Sequence, residues 1–371
     1  MSELALIYRS RGIELARLIA QGFLAYWPIL ALPCIALLLS EGVFALYPQL
    51  LHLTLMSIIK DFFITNLPFG ILLIVIARAI SHVFHLHDNH LVPALRKDLA
   101  SATRRPIYLI NALPIMLAML LFSKAMLEFK PEIPLINGFH WDETFSQFDR
   151  LLHFGVDPWR IIHPLMGHAV ITILSNVAYN LWILIFTSIW VWVSFRSQPN
   201  EIHSRFVIAF MLVWWFGGCV LATIFSSAGP AFYNKLGLAS ANPYADLMSY
   251  LNSTDGYFKV WALQTQNNLW DSYNGNLPAT GISAFPSMHN ASAALFVLMF
   301  YSVSKAWGRF FLAYAVLIFL TSIHLGWHYA VDGYAGMLVA CLCWKAAAPL
   351  ARYMHNQPAM KRFEEGLAAE A

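Results

Sequence analysis

Three side chains in the C-terminal third of the sequence could act together in acid–base and nucleophilic chemistry. His328 and Asp332 stand four positions apart, so on a helix the carboxylate can hold one ring nitrogen and leave the other free as a nucleophile. His289 follows Pro286-Ser287-Met288 at the start of an apolar run, which predicts a position in the first turn of a helix. Free backbone N–H groups at such a start favour an anion such as phosphate. The pattern therefore predicts attack by His328 on phosphorus, with His289 as general acid.

The composition shows in what kind of protein these residues must be positioned. Of the 371 residues, 59% are hydrophobic and only 12% are charged, whereas soluble domains have about 45–50% apolar and about 25% charged residues. A formal net charge of +3 favours no particular partner, and no nucleic-acid contact is expected. Composition thus excludes an ordinary soluble enzyme and predicts an all-α, polytopic membrane protein.

Eight apolar runs are close to the length that a membrane-spanning helix needs. They cover residues 22–46, 62–80, 107–127, 168–195, 206–226, 287–304, 310–325 and 329–350. The connections 128–167 and 227–285 are long, and the spacing of apolar residues over 139–152 predicts an amphipathic helix in the first of them.

The distribution of basic residues predicts the orientation. The termini and the loops on their side of the membrane contain 16 of the 23 Lys and Arg residues, and the opposite side contains 7. Both termini are therefore predicted to be cytoplasmic. The start of span six, the junction of spans seven and eight, and the end of span five then meet at one extracytoplasmic face, where the active site is expected.

Two of these segments resemble motifs of a known family. Pro286-Ser287-Met288-His289 and His328-Tyr329-Ala330-Val331-Asp332 are similar to the second and third signature motifs of the type-2 phosphatidic acid phosphatase superfamily, which includes the vanadium haloperoxidases. The resemblance implies that His328 becomes phosphorylated, Asp332 orients it, His289 acts as acid and base, and Ser287 contacts phosphate. It also implies a six-helix catalytic core over 107–350, two additional N-terminal spans within 1–106, and a cytoplasmic tail over 351–371.

Two cationic positions of the phosphatase pattern are replaced here. Thr321-Ser322 stands where that pattern has Ser-Arg, and Ala222 stands where the first motif has Lys. A phosphodiester, with one negative charge, needs less neutralisation than a dianionic phosphomonoester. The inositol phosphorylceramide synthase branch also lacks that Arg, and residues 225–233 loosely resemble its Phe-x4-Pro-x2-Tyr segment. The resemblance therefore favours transfer over hydrolysis, without a metal ion or other cofactor.

Three further residues are candidates for substrate binding. Lys235 could replace the lost cation or be a solvated loop residue, and His324 could bind phosphate or be a hydrogen-bonded interfacial histidine. Tyr233 belongs to the long loop that could shape an acceptor pocket. The histidine-rich run 82–90 has ligand-like spacing for a metal, but its position on the cytoplasmic side favours a polar loop.

The predicted function is transfer of a phosphorylated head group between lipids through a phosphohistidine intermediate. The donor would be a membrane phospholipid, the acceptor a lipid alcohol, and the location a bacterial inner membrane or a eukaryotic endomembrane. The alternatives are hydrolysis of a lipid phosphate or diphosphate by the same residues, with water as acceptor, and a non-catalytic lipid transporter or scaffold.

Overall fold

The architecture is helical throughout the residues that the structure, a computed structural model, describes: 3–46, 54–84, 106–238, 242–278 and 280–370. Its helices are α1 (Glu3–Ala25), α2 (Trp27–Phe44), α3 (Leu55–Asp61), α4 (Leu67–Phe84), α5 (Pro106–Phe129), α6 (Asp142–Leu152), α7 (Pro158–Met166), α8 (Ala169–Ser194), α9 (Glu201–Leu212), α10 (Ala245–Asp255), α11 (Trp261–Tyr273), α12 (Met288–Val303), α13 (Lys305–His324), α14 (Ala330–Asn356) and α15 (Pro358–Glu370). A π-helical turn joins α3 to α4, and a second one extends α9 to Ile224.

Six helical segments are long and apolar enough to cross a membrane. They are Leu55–Ile76, Pro106–Ile136, Ala169–Ser194, Glu201–Ile224, Lys305–His324 and Ala330–Asn356. The pair Gly12–Ala25 and Trp27–Val43, bent by 65°, forms one more candidate, and Met288–Val303 is apolar but shorter. These segments coincide with the eight predicted runs, and the prediction of an all-α polytopic membrane protein is confirmed.

The N-terminal span differs from the prediction because a helix precedes it. Residues before Gly22, read as polar and extramembrane, belong to α1, which ends at Ala25. Pro28 lies in the first turn of α2, where it lacks the N–H that would continue the hydrogen bonding of α1. The chain therefore bends at Tyr26.

Helix α12 is shorter than the helices that could cross a membrane. Its 16 residues extend about 24 Å, less than the roughly 30 Å of a hydrocarbon core. The ring of His289, in its first turn, contacts Tyr179, which lies ten residues into the spanning helix α8. The start of α12 is thus recessed between the other helices.

The core of the bundle is built around α14, which packs against α9 and α12, while α12 also packs against α13. The N-terminal helices join this core through α5. There the Tyr26 hydroxyl donates to Asn111 at 2.9 Å, and the Asn111 amide donates to the Arg196 carbonyl at 3.0 Å. Tyr26 lies at the bend between α1 and α2, Asn111 in α5, and Arg196 in the loop after α8. This chain of hydrogen bonds therefore fixes the N-terminal region on the bundle.

The histidine-rich run 82–90 begins in the last turn of α4. Helix α4 ends at Phe84. Residues 85–90 lie outside the described residues.

Candidate functional site

Backbone hydrogen bonds join the three segments that were predicted to meet. The amide of Ala284 donates to the Ser227 carbonyl at 2.9 Å, and the amide of Ala231 donates to the Gly326 carbonyl at 2.9 Å. The segment after span five therefore contacts both the segment before α12 and the segment between α13 and α14. The two motifs and the place of the missing first motif form one site.

The beginnings of α12 and α14 are in direct contact. The Ser287 amide donates to the Asp332 carbonyl at 2.9 Å. A Cβ at Gly336 would lie 2.4 Å from the Ser287 carbonyl oxygen, so only glycine allows this approach. Ser287 is the N-cap of α12: its buried hydroxyl accepts from the Asn290 amide at 3.3 Å and from its side-chain amide at 2.9 Å.

His328 and Asp332 are arranged as the four-residue spacing predicts. Nδ1 of His328 lies 3.3 Å from Oδ2 of Asp332, which also accepts from the Tyr329 amide at 3.0 Å. The pKa of His328 is lowered to about 3, mainly by burial; a hydrogen bond with the Ala284 backbone opposes this shift, and nearby Lys130 adds to it. The imidazole is therefore neutral at physiological pH.

The ring of His289 lies between two aromatic side chains of α8. Its centroid is 4.4 Å from that of Tyr179 and 4.5 Å from that of Trp182. The His328 centroid lies 6.1 Å away on the other side. His289 makes no hydrogen bond to a described residue, so its orientation comes from ring packing and its nitrogens are available to a ligand.

The two imidazoles line a cavity of about 370 Å³. Its wall is mainly aromatic and aliphatic, with a few polar groups, as is typical of small-molecule sites. The lining residues are Lys130, Tyr179, Asn180, Trp182, Ile183, Trp214, Ala228, Phe232, Thr265, Leu269, Gly281, Ile282, Ser283, Ala284, Met288, His289, Trp327 and His328. In the described part of the chain, His, Cys, Asp and Glu side chains form no group of three that could hold a metal ion.

Lys130 is a residue of this cavity that the sequence analysis did not single out. It follows α5 in a 3-10 turn, with Nζ 5.7 Å from the centroid of the Trp214 ring. A lysine at the end of an apolar run could have identified it as a functional candidate, because an ionisable residue at membrane depth is energetically costly. It had been counted only as a charge of the long loop.

Asp142, in the first turn of α6, accepts three hydrogen bonds from the site's backbone and side chains. They come from the amides of Ala228 at 2.8 Å and Gly229 at 2.7 Å, and from the Tyr329 hydroxyl at 2.9 Å. Burial raises the pKa of Asp142, and the three donors oppose this rise. The carboxylate connects the segment after span five to the residue that follows His328.

Asp149 has a similar role at the start of α14. Its two oxygens accept from the amides of Ala330 at 2.7 Å and Val331 at 2.8 Å, two of the free N–H groups of that helix terminus. Burial raises the pKa of Asp149 to about 7, against these hydrogen bonds. The amphipathic helix was predicted correctly, but its two buried carboxylates showed no signal as site-positioning groups.

Two of the predicted binding residues lie outside the cavity wall. Lys235 is exposed, with Nζ 5.3 Å from the Trp270 ring centroid and 3.5 Å from the Asn267 amide oxygen. His324 is fully buried, with Nε2 2.9 Å from the Thr172 hydroxyl. The binding roles of both residues stay predictions.

Tyr233, the third of these residues, is also separate from the cavity wall. It is buried and packs edge-on against Tyr244, with ring centroids 5.5 Å apart. Its neighbour Phe232 lines the cavity instead. A contact of Tyr233 with an acceptor likewise stays a prediction.

Comparison with known proteins agrees with this geometry. The profile of the PAP2 superfamily matches residues 143–346, from α6 to α14, and includes His289, His328 and Asp332. Lys130 lies before the matched residues. No curated protein and no solved structure gives a significant match. The chain therefore belongs to the PAP2 superfamily of phosphatases and related phosphotransferases, and it is an integral membrane enzyme that acts on phosphate esters.

Proposed function

We propose that this enzyme transfers a phosphorylated head group from a phospholipid to a lipid alcohol. The observation that carries the proposal is that His289 and His328 line one cavity, with ring centroids 6.1 Å apart. Because both rings line this cavity, a phosphate group bound in it can contact both imidazoles.

In the first step Nε2 of His328 attacks phosphorus and forms an N–P bond. The P–O bond to diacylglycerol breaks, and the departing oxygen takes a proton from His289. Burial lowers the pKa of His289, so the negative charge of the bound phosphate has to favour its protonated form before this step. Asp332 holds Nδ1 at 3.3 Å, so the other nitrogen points to the substrate and the positive charge of the attacked imidazole is stabilised. The products are diacylglycerol and a phosphohistidine whose phosphorus keeps one ester bond, the bond to the head group.

In the second step the now neutral His289 accepts the proton of the acceptor hydroxyl. The acceptor oxygen attacks phosphorus, the N–P bond to His328 breaks, and the electron pair returns to the imidazole. A new lipid phosphodiester leaves, and His289 is protonated again for the next cycle. With water as the acceptor, the same steps give hydrolysis.

A lipid substrate is supported by the position of the cavity wall. Ile183, on the spanning helix α8, is 42% exposed and lines the cavity together with the exposed Asn180. An acyl chain in the bilayer could therefore reach the cavity from the side. The recessed start of α12 supports the same direction of access.

Transfer is favoured by the replaced cations and by the resemblance to the inositol phosphorylceramide synthase branch. We place the site on the extracytoplasmic side and both termini in the cytoplasm. A reporter fused after residue 371 and a second one inserted near Asn252 test this orientation, because opposite locations are expected. Both reporters on one side would contradict it.

Product analysis tests the proposed function. Purified enzyme in mixed vesicles receives a phospholipid labelled in its phosphate, together with a lipid alcohol. A labelled new lipid phosphodiester is expected, and its formation should be abolished in His328→Ala. His140→Ala, which removes an exposed imidazole, is the matched control and should retain activity. Labelled water-soluble phosphate as the only product would establish hydrolysis instead.

A further inference from the structure

The proposed phosphoryl site needs a positive charge that the family motifs do not provide in this chain. The usual lysine and arginine positions hold Ala222 and Ser322. Ala222 does not line the cavity, and the Ser322 hydroxyl donates within its own helix, to the Phe319 carbonyl at 2.8 Å. Among the described residues, the cavity wall contains one cationic side chain, that of Lys130.

Close packing of two backbones places Lys130 at the site. A Cβ at Gly281 would lie 2.6 Å from the backbone carbon and from Cβ of Lys130, so the turn after α5 presses against the segment that leads to His289. From there the ammonium group extends over the Trp214 ring on the cavity wall. It is close enough to the two imidazoles to lower the pKa of His328.

The charge of Lys130 is not neutralised by a neighbouring carboxylate. It forms no ion pair with a described residue, whereas Lys124, six positions earlier, pairs with Glu128 at 2.6 Å and Glu41 at 3.4 Å. An ammonium group at membrane depth is costly without an anion. Lys130 lines the same cavity as the two imidazoles, so a ligand bound there would be that anion.

We propose that Lys130 binds the non-bridging oxygens of the substrate phosphate and replaces both missing family cations. This inference rests on the proposed function and narrows its substrate class. One ammonium group matches the single charge of a phosphodiester, whereas a phosphomonoester dianion would leave one charge without a partner in an apolar cavity. The enzyme should therefore prefer diesters.

The proposal also extends the catalytic unit beyond the residues that match the family. Lys130 belongs to the span Pro106–Ile136, which precedes the matched segment. The third span then contributes a binding residue.

Inhibition by two small phosphates tests the proposal. Dihexyl phosphate is a monoanion, and monohexyl phosphate is a dianion at pH 8. Inhibition of lipid-donor turnover by each compound is measured in wild type, Lys130→Gln, Lys130→Arg and Lys259→Gln. Wild type should bind the diester more tightly, and Lys130→Gln should bind it about 10- to 100-fold more weakly, as expected for loss of a charged hydrogen bond. Lys130→Arg should recover part of this loss, and Lys259→Gln, at an exposed position away from the cavity, should match wild type.

A binding measurement without turnover separates this proposal from the proposed function. Dihexyl phosphate should raise the melting temperature of detergent-solubilised wild type and His328→Ala, but not that of Lys130→Gln. If Lys130→Gln does not fold, Lys130→Met, which keeps an apolar stem, takes its place. An unchanged shift in the Lys130 variant, or tighter binding of the monoester by wild type, would overturn the inference. Activity that survives His328→Ala would instead overturn the proposed function, whatever Lys130 does.

Discussion

The hydroxyl of Tyr329 donates a hydrogen bond to Asp142 at 2.9 Å, and both side chains are buried. Tyr329 directly follows His328, and Asp142 also accepts from the amides of Ala228 and Gly229. A helix outside the membrane-spanning segments therefore determines where the backbone next to His328 lies.

Asp142→Asn should destabilise the protein and reduce its activity. In the variant, an NH2 group replaces one carboxylate oxygen and faces N–H or O–H donors, with which it cannot form the present hydrogen bonds. At least one buried hydrogen bond is therefore lost, which lowers the free energy of unfolding by about 1–3 kcal/mol. The measurement is the apparent melting temperature in detergent, together with turnover. Glu143→Gln, at an exposed position of the same helix, is the control. Equal effects of the two substitutions would contradict the role of Asp142.

Asp149 should make stability depend on pH. Burial raises its pKa to about 7, above the ordinary value of 3.8, so the folded protein takes up a proton between these values. Its contribution to the free energy of unfolding is therefore largest below pH 3.8 and is lost as the pH rises through about 7. Melting temperatures of wild type and Asp149→Asn between pH 4.5 and 7.5 should differ in slope, with the flatter curve in the variant. Parallel curves would refute this assignment.

The neutral state of His328 predicts a flat pH profile for phosphoenzyme formation. Because burial lowers its pKa to about 3, protonation should not remove the nucleophile between pH 5 and 8. The measurement uses a lipid p-nitrophenyl phosphodiester, whose leaving group needs no proton from His289. A loss of rate with a midpoint near pH 6.5, the ordinary histidine pKa, would show that His328 is not shielded in this way.

Gly336→Ala should separate the helices that hold the two histidines. The added methyl group would lie 2.4 Å from the Ser287 carbonyl oxygen, a distance that requires α12 or α14 to move. A large loss of turnover is expected with helical content preserved, as measured by circular dichroism. The control is Gly42→Ala, where no atom lies within 4 Å of the new Cβ. Wild-type turnover in Gly336→Ala would contradict the close approach.

The membrane-spanning helices and the contact between His328 and Asp332 could be predicted from the sequence, because both depend on residues close together in the chain. Apolar runs marked the spans, and one helical turn between His328 and Asp332 gave their contact. The common face of the two motifs followed from counting spans and cationic residues.

The remaining site residues depend on tertiary packing. Lys130 reaches the cavity only because its turn packs against Gly281, some 150 positions later. The aromatic pair Tyr179 and Trp182 reads in sequence as ordinary span residues, and it contacts His289 only because α12 starts opposite the middle of α8. A single sequence contains no pattern that predicts these contacts between distant residues. The N–H groups that Asp142 and Asp149 accept hydrogen bonds from are likewise brought near these carboxylates only in the folded chain.

Trapping the covalent intermediate tests the central claim most directly. Wild type, His328→Ala and Asp332→Asn are mixed with a phosphate-labelled lipid p-nitrophenyl phosphodiester, quenched, and digested for mass spectrometry. The account predicts an acid-labile label on the peptide that contains residue 328 in wild type. It predicts no label in His328→Ala and, by analogy with triad carboxylates, formation slower by about 1000-fold or more in Asp332→Asn. A label on another residue, or full labelling of His328→Ala, would contradict the account.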